Sequence, residues 1–370
     1  MNRVWAVIER DLRRFRRSPV LVVMSMMFPL AQLVVLGYAF GGKIKNLRVA
    51  VVDQDHGVPA VKLREMFQAV AANARTFDSV SYTDSRQALE DLRNGKLNGV
   101  LNIPPEFSRR IFAEAKPQLA LIEDNTDNFV SATLVGATNS LMTAFSQPTS
   151  MPRITPIPQL DVVEVYPYVP YVQYLLPVII VMSIFMMVMI GGGIIFIDDK
   201  ARGLHEGYLV TPISKLELVA GFNLSGTIKA VLAGSSIMIV GSLIAGIPMP
   251  FDPLRLFRMF VVVCFTSFAL ISMMFLIMVR VSDPLLQRAI FGVLNTLLYF
   301  PSGAIYPQQG FPTWMRWIAA VDPFTYAVHA FKSLVLKNTG FGAITVDLLY
   351  LTAFSAVCMT AATMLFKRTL

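Results

Sequence analysis

The feature that most constrains this chain is a set of long apolar runs with almost no charge. A helix rises about 1.5 Å per residue, so roughly 20 apolar residues cross the roughly 30 Å hydrocarbon layer of a membrane. Five runs contain no charged residue, and the sixth contains only Lys229. The runs are 18–42, 174–197, 218–247, 259–279, 289–306 and 348–366. They predict an integral membrane protein with six transmembrane helices.

The segment 41–170 interrupts this pattern with the composition of a soluble domain. It carries 13 Lys/Arg and 14 Asp/Glu, whereas the whole chain has a net charge of +8. Short β-branched runs alternate with helical spacing, so we expect strands near 47–52, 76–82, 99–103 and 119–123, and helices between them. One helix is expected to begin at Pro104. The predicted fold class is a membrane all-α bundle of six transmembrane helices with an inserted extracytoplasmic α/β domain between helices 1 and 2.

The basic residues predict the orientation of the chain in the membrane. Six arginines lie within the first 17 residues, and Lys and Arg in short flanking segments stay in the cytoplasm. Both termini are therefore expected on the cytoplasmic side of the membrane, and 41–170 on the outer side. Arg255 and Arg258 fall on the outer side and are interpreted as interfacial residues at the start of a span. A cleavable signal peptide is the competing interpretation of the N-terminus, but its apolar run is longer than a signal peptide needs.

Four regions follow from these patterns. Residues 1–17 have apolar positions at helical spacing with arginine between them, which predicts an amphipathic helix in the headgroup layer. Residues 18–40 form transmembrane helix 1, and 41–170 form the inserted domain. Residues 171–370 contain helices 2–6, a charged segment at 198–212 and a proline-broken stretch at about 301–338. That stretch predicts short outer re-entrant helices.

The sequence argues against nucleotide binding, metal binding or catalysis by the chain itself. It has no glycine-rich nucleotide-binding loop, so any ATP dependence comes from a partner. Its three histidines are far apart in sequence, which argues against a metal site or a catalytic triad, and neither cysteine lies in the inserted domain. Ion-coupled carriers usually keep acidic residues within their spans, and here only Lys229 is embedded, interpreted as reaching the inner surface. We expect no catalytic, cofactor-binding or metal-binding residue and no binding of nucleic acid.

The charged segment 198–212 is a candidate contact with a cytoplasmic partner. Arg202 and Glu206 can form charge-assisted hydrogen bonds, and Thr211-Pro212 would end a short helix before the next span. An ordinary charged loop explains the same composition equally well.

At this segment the chain resembles the membrane subunits of ABC-2 type ATP-binding-cassette exporters. Their coupling helix rests on the ATPase and has the form Arg-Gly-Thr-x-Glu-x-Leu-x-x-Ser/Thr-Pro. Leu204 and Tyr208 depart from that pattern. The matching residues, which the resemblance assigns to ATPase coupling, are Arg202, Gly203, Glu206, Thr211 and Pro212.

A second stretch is similar to the outer re-entrant segment of the same family and to the Asn/Asp-Pro-x-x-Tyr-Ala element that follows it. The two motifs in this order and the six-span plan together cover nearly the whole chain. The matching positions are Ser302, Gly303, Pro307, Pro312, Trp314, Pro323 and Tyr326.

The large inserted domain narrows the resemblance to the multidrug-efflux-type branch. The resemblance implies two ATPase subunits that bind ATP and Mg²⁺, and a second permease subunit that is identical or closely similar. It implies export of a drug-like substrate from the cytoplasm across a bacterial inner membrane. The Met-rich and Phe-rich second and fourth spans indicate an amphiphilic or lipid-like substrate, since methionine surfaces adapt to varied shapes. A candidate substrate path is formed by Met182, Met186, Phe268 and Phe275, although packing or lipid contact explains these residues at least as well. The alternatives are a membrane-anchored sensor or assembly protein and an ion-coupled carrier. The sequence names neither the substrate nor any periplasmic adaptor.

Overall fold

The computed structural model describes residues 2–39, 45–73, 76–113, 117–124, 128–146, 169–194, 213–247, 252–281, 283–306 and 308–366. The chain divides into two compact units. One consists of Met1–Gly41 and Glu164–Leu370, and the other of Gly42–Val163.

The first unit begins with two helices joined by a tight turn. Helix α1 spans Asn2–Arg16 and helix α2 spans Pro19–Ala39. Pro19 suits the first turn of α2, because that position needs no backbone donor and proline already has a helical φ. One side of α1 is buried, including Val7 and Phe15, while Trp5 on another side is exposed.

The second unit is a four-stranded sheet in the order β2-β1-β3-β4. Strand β1 pairs in parallel with β2 and β3, and β4 is antiparallel to β3. The elements are β1 (Leu47–Asp53), α3 (Val58–Asn73), β2 (Phe77–Tyr82), α4 (Ser85–Arg93), β3 (Gly99–Ile103), α5 (Phe107–Phe112), β4 (Ala120–Glu123) and α6 (Asn128–Ser146).

Alternate residues of β1 face opposite layers of helices. Val49 and Val51 lie in a core with side chains of α3, α5 and α6. Ala50 and Val52 lie in a second core with Ala88 and other residues of α4. Because side chains alternate along a strand, one central strand supports helices on both faces.

The strands lie within a residue or two of their predicted positions, but one helix begins later than expected. The sequence predicted a helix from Pro104, whereas α5 begins at Phe107. Glu106 just before it has a left-handed conformation, with φ at 66°. The two prolines therefore belong to the turn after β3 and not to the first turn of the helix.

The remainder of the first unit is helical. Val188–Ile194 continues α7 as a π-helix, and short 3₁₀ segments lie at Gln308–Gly310 and Phe341–Ile344. The α-helices are α7 (Tyr171–Met187), α8 (Lys215–Ile244), α9 (Pro253–Met278), α10 (Pro284–Tyr299), α11 (Thr313–Val321), α12 (Pro323–Lys337) and α13 (Thr345–Leu365).

Within the described ranges, four helical segments are long and apolar enough to cross a membrane: Tyr171–Gly192, Lys215–Ile244, Pro253–Met278 and Phe341–Leu365. Shorter apolar stretches lie within α2, at Val23–Ala39, and within α10, at Leu285–Tyr299. The fifth predicted transmembrane helix, 289–306, corresponds to α10, which begins five residues earlier and ends seven residues earlier than predicted. Asp283 caps that helix through the amide of Leu285 at 2.8 Å, and the chain turns after Tyr299.

Candidate functional site

The residues assigned to ATPase coupling, Arg202, Gly203, Glu206, Thr211 and Pro212, lie outside the described residues, as does the whole predicted helix 198–212. The structure describes the elements on either side of it. On the far side, α8 begins sharply at a capping box. The Ser214 amide donates to Glu217 at 2.8 Å, and the Ser214 hydroxyl accepts from the Glu217 amide at 3.2 Å.

A buried ion pair lies between α1 and α8. The Lys229 ammonium is 2.6 Å from Oδ2 of Asp11, and both side chains are almost completely buried. The Ser225 hydroxyl donates to the same carboxylate oxygen at 2.5 Å. Each charge is therefore compensated inside the unit, as a buried charge requires.

Lys229 also contacts a third element. Its ammonium donates a hydrogen bond to the carbonyl of Gly191, within the π-helical end of α7. A π-helical turn leaves carbonyls out of the regular α-helical pattern, so Gly191 can accept from a side chain. We call Asp11, Ser225, Lys229 and Gly191 the Lys229 junction. It joins α1, α7 and α8.

Close packing brings α1 and α8 together. Gly221, Ser225 and Lys229 are spaced by four residues and form one stripe of α8. A Cβ at Gly221 would lie 2.9 Å from Cβ of Val7, so only glycine permits this approach. The Lys229 ammonium also lies 5.7 Å from the centre of the Phe15 ring.

The junction corrects one prediction and extends another. Lys229 was expected to reach the inner surface, but it is fully buried and paired with Asp11. The apolar face of α1 was expected to lie in the headgroup layer, and in the structure Val7 and Phe15 of that face belong to the core of the first unit. The sequence analysis did not identify Asp11. It lies four residues after Val7 and four residues before Phe15, so it is on the same face of α1 as these two apolar residues.

Residues of the second motif organise the turns between α10 and α12. Ser302 is buried and donates to the Tyr299 carbonyl at 2.7 Å, and Gly303 has φ at 76°. Pro312 precedes α11, and Trp314 within it is exposed. Pro307 lies outside the described residues.

Helix α12 is fixed at its start by the Asp-Pro pair of this motif. Asp322 accepts from the Phe324 amide at 2.9 Å, and Pro323 occupies the first turn. Burial raises the pKa of the Asp322 carboxyl to about 8, although its hydrogen bonds from Phe324 and Thr325 act in the opposite direction. The Tyr326 hydroxyl donates to the Ala320 carbonyl at 2.9 Å.

The end of α12 is held by two arginines of α9. Arg255 donates to the Val335 carbonyl, and Arg258 donates to the Thr339 carbonyl at 3.2 Å. These residues were expected to be interfacial. Arg255 is instead buried and bonds to the end of α12, where unpaired carbonyls favour cations. These charge-assisted hydrogen bonds offset the free energy that the guanidinium groups lose when they are removed from water.

A cavity of about 340 Å³ lies beside α12. Four elements line it: α7, the turn after α10, α12 and α13. Its walls include Lys332 and a pair in which His329 Nδ1 is 2.8 Å from Asp347 Oδ2. We call it the Lys332 cavity. Ser302, Gly303 and Tyr326 of the second motif line it as well.

The four candidate path residues occupy two environments. Met182 and Phe275 are buried in the core of the first unit, where Phe275 stacks on Phe222 with ring centres 6.2 Å apart. Met186 and Phe268 are only partly buried. Cys264 and Cys358 are free thiols. Among the described residues, no group of three His, Cys, Asp or Glu side chains is placed to hold a metal ion.

A family model and several known proteins match this chain along almost its full length. The family model described as "ABC-2 family transporter protein" matches residues 19–364. The "Probable multidrug ABC transporter permease YbhR" of Escherichia coli K12 is 22% identical, over 99% of both chains. YbhS, with the same description, is 23% identical over 98% of this chain and 96% of its own length. "ABC transporter G family member 20" of Dictyostelium discoideum is 23% identical over 90% of this chain and 46% of its own.

Proposed function

Because the chain belongs to the ABC-2 family of transporter proteins, whose membrane subunits are non-catalytic, we propose that it is the permease of an ATP-driven exporter. A separate ATPase hydrolyses ATP. The chain moves an amphiphilic or drug-like substrate out of the cytoplasm or the inner leaflet. The names of relatives described as multidrug permeases support this substrate class.

The observation that carries the mechanism is the Lys229 junction. One ammonium joins α1, the π-helical end of α7 and α8, and Gly191 in that π-helix precedes the coupling segment by only seven residues in sequence. The coupling segment 198–212 follows in sequence and leads into α8. Any displacement of that segment by an ATPase is therefore applied to two elements that Lys229 joins.

The ion pair determines which helices move when the coupling segment is displaced. Separating one partner from a buried pair leaves an uncompensated charge and costs roughly 3–5 kcal/mol. Helices α1, α7 and α8 are therefore expected to move together near Lys229 when the ATPase closes. A rigid-body shift of this kind changes which side of the membrane the substrate path faces.

The proposed topology follows the distribution of charge. Both termini and 198–212 lie in the cytoplasm, the unit 42–163 lies outside, and six helices cross the membrane. Helix α2, with 21 residues, and helix α10, with 16, serve as the other two crossings. Two copies, or this chain and a close relative, pair with two ATPase subunits. Met186 and Phe268 are favoured over Met182 and Phe275 as path residues, since they are not already enclosed by the core.

The test uses the full complex in liposomes and an amphiphilic fluorescent substrate. Glu206→Lys is expected to abolish ATP-dependent transport and substrate-stimulated ATP hydrolysis, because it reverses the charge offered to the ATPase. Arg316→Gln changes an exposed charge on α11 and serves as the control. Transport that continues without ATP and collapses with the proton gradient would overturn the proposal. Failure of any ATPase to copurify would favour a membrane-anchored sensor.

A further inference from the structure

Lys332 is a half-buried cation without a carboxylate partner. Its ammonium donates to the Tyr174 hydroxyl at 2.9 Å and the Gly303 carbonyl at 2.7 Å, and it lies 4.1 Å from the centre of the Tyr174 ring. These partners are all neutral. No carboxylate among the described residues lies within ion-pair distance of it. Buried cations usually have an anionic partner, so this one is available to a ligand.

The carboxylate that lines the cavity is paired with another residue. Asp347 pairs with His329 at 2.8 Å, and this hydrogen bond raises the pKa of His329, although its burial acts in the opposite direction. Protonated His329 can donate from its second ring nitrogen, since both nitrogens then carry hydrogen. The Tyr174 hydroxyl accepts from Lys332, so its own hydrogen remains available to donate. The cavity therefore offers three donor groups around one uncompensated charge.

Tyr326 and Val328 give the cavity an aromatic and apolar wall beside these donors, while Ser302, Thr325 and two glutamines line other parts of it. Tyr326 stacks on Tyr350 with ring centres 3.7 Å apart, and Val328 is buried in the lining. The volume of about 340 Å³ holds a head group and the first part of a chain, at the lower end of the range of ligand sites. Gln308 is held in the turn by contacts with Pro301 and Thr325, both at 3.4 Å.

We propose that the Lys332 cavity binds the anionic head group, a phosphate or a carboxylate, of an amphiphile. Lys332 supplies the charge, Tyr174 and His329 supply additional hydrogen bonds, and the aromatic wall contacts the adjacent carbon chain. This site lies beyond the proposed coupling mechanism, because binding there requires neither ATP nor the ATPase. Its test can therefore fail while the exporter function stands.

The test measures binding by native mass spectrometry of the full chain in detergent. Phosphatidylglycerol and diacylglycerol with the same acyl chains are the probes, and only the first carries an anionic head group. Lys332→Met is expected to weaken phosphatidylglycerol binding about tenfold, which corresponds to about 1.4 kcal/mol. Lys332→Arg keeps the charge and should retain most of the affinity. Lys337→Met removes an exposed charge from the same helix and is the matched control.

A competition arm separates the two sources of the head group. Inorganic phosphate that displaces phosphatidylglycerol in the low millimolar range supports a site for the anion alone, and failure to displace supports an amphiphile that needs its chain. Equal affinity for diacylglycerol and phosphatidylglycerol would overturn the proposal. So would unchanged binding in Lys332→Met or an equal loss in Lys337→Met. Thermal unfolding identifies any variant that fails to fold. If Lys332→Met does not fold, the affinity of Lys332→Arg for phosphatidylglycerol relative to diacylglycerol tests the proposal.

Discussion

Asp11 and Lys229 are 218 residues apart in sequence and form a buried ion pair, with 2.6 Å between carboxylate and ammonium. The pair lies where the N-terminal helix crosses α8, and the same ammonium bonds to the end of α7. It therefore fixes three elements at one point.

Replacing either partner is expected to cost more than replacing both. Lys229→Met should lower the free energy of unfolding by roughly 3–5 kcal/mol, because Asp11 remains buried without its partner. The double variant Asp11→Leu with Lys229→Met should recover part of that loss. Chemical denaturation of the reconstituted chain measures both. Transport should nevertheless fall in the double variant, since the link between α1 and α8 is gone.

An exposed pair on the same helix is the control. Glu9 and Arg13 on α1 are 2.5 Å apart and both exposed. Glu9→Gln should change stability by less than about 1 kcal/mol, as surface pairs contribute little. A comparable loss in Glu9→Gln and Lys229→Met would argue against a special role for the buried pair.

Close packing at Gly221 yields a second prediction. A Cβ there would lie 2.9 Å from Val7, so Gly221→Ala should separate α1 from α8 and destabilise the fold by about 1–3 kcal/mol. Adding Val7→Ala removes the equally close Cγ1 of Val7 but keeps its Cβ, so it should restore only part of the loss. Gly292→Ala in α10 meets no atom within 4 Å and should be neutral or slightly stabilising. Thermal unfolding of the four proteins distinguishes local crowding from a general intolerance of alanine.

Local features of this fold could be predicted from sequence, and long-range pairs could not. The Asp322-Pro323 pair marks the start of α12, and alternating apolar residues mark β1. Asp11 and Lys229 each have a reasonable separate interpretation, as a residue of an amphipathic helix and as a residue near an interface. Their pairing becomes visible only in the folded structure, where α1 packs on α8. A contact between residues so far apart in sequence leaves no periodic pattern in the sequence.

The same limit explains the arginines of α9 and the cavity at Lys332. Arg255 lies 80 residues from the carbonyl it bonds, so its outer position alone suggested an interface. The second motif identified Ser302, Gly303 and Tyr326, but Lys332 and Asp347 lie outside it. They reach the cavity from later positions in the chain.

The cap of α12 has a predicted pH dependence. Burial raises the pKa of Asp322 to about 8, so folding favours the protonated carboxyl. Its contribution to stability is therefore full at acidic pH and is lost as the pH rises toward 8. Asp322→Asn keeps an oxygen for the Phe324 amide and should remove this dependence, whereas Asp322→Ala should lose about 0.5–2 kcal/mol with the cap. Thermal midpoints at acidic and alkaline pH measure these effects. Equal destabilisation by Asn and Ala at pH 7 would contradict the prediction.

Anion binding in the Lys332 cavity should weaken at a lower pH than for an ordinary lysine. Helix α12 is not one of the helices long and apolar enough to span a membrane, and burial lowers the pKa of Lys332 to about 8. The titratable groups that line the cavity with it are Tyr174 from α7, Tyr326 and His329 on its own helix, and Asp347 from α13. Binding of phosphatidylglycerol to the wild type should therefore decline as the pH rises from about 7 to about 9, well below the value of about 10.4 for free lysine.

Lys332→Arg separates this decline from the titration of its neighbours. Arginine remains protonated throughout that range, so the variant should keep its affinity to about pH 9. A second, smaller decline is expected in both proteins as His329 loses its proton, because the hydrogen bond to Asp347 raises the pKa of His329. His329→Gln should remove that decline and leave the one caused by Lys332. Parallel profiles for the wild type and Lys332→Arg up to pH 10 would show that the Lys332 ammonium does not bind the head group.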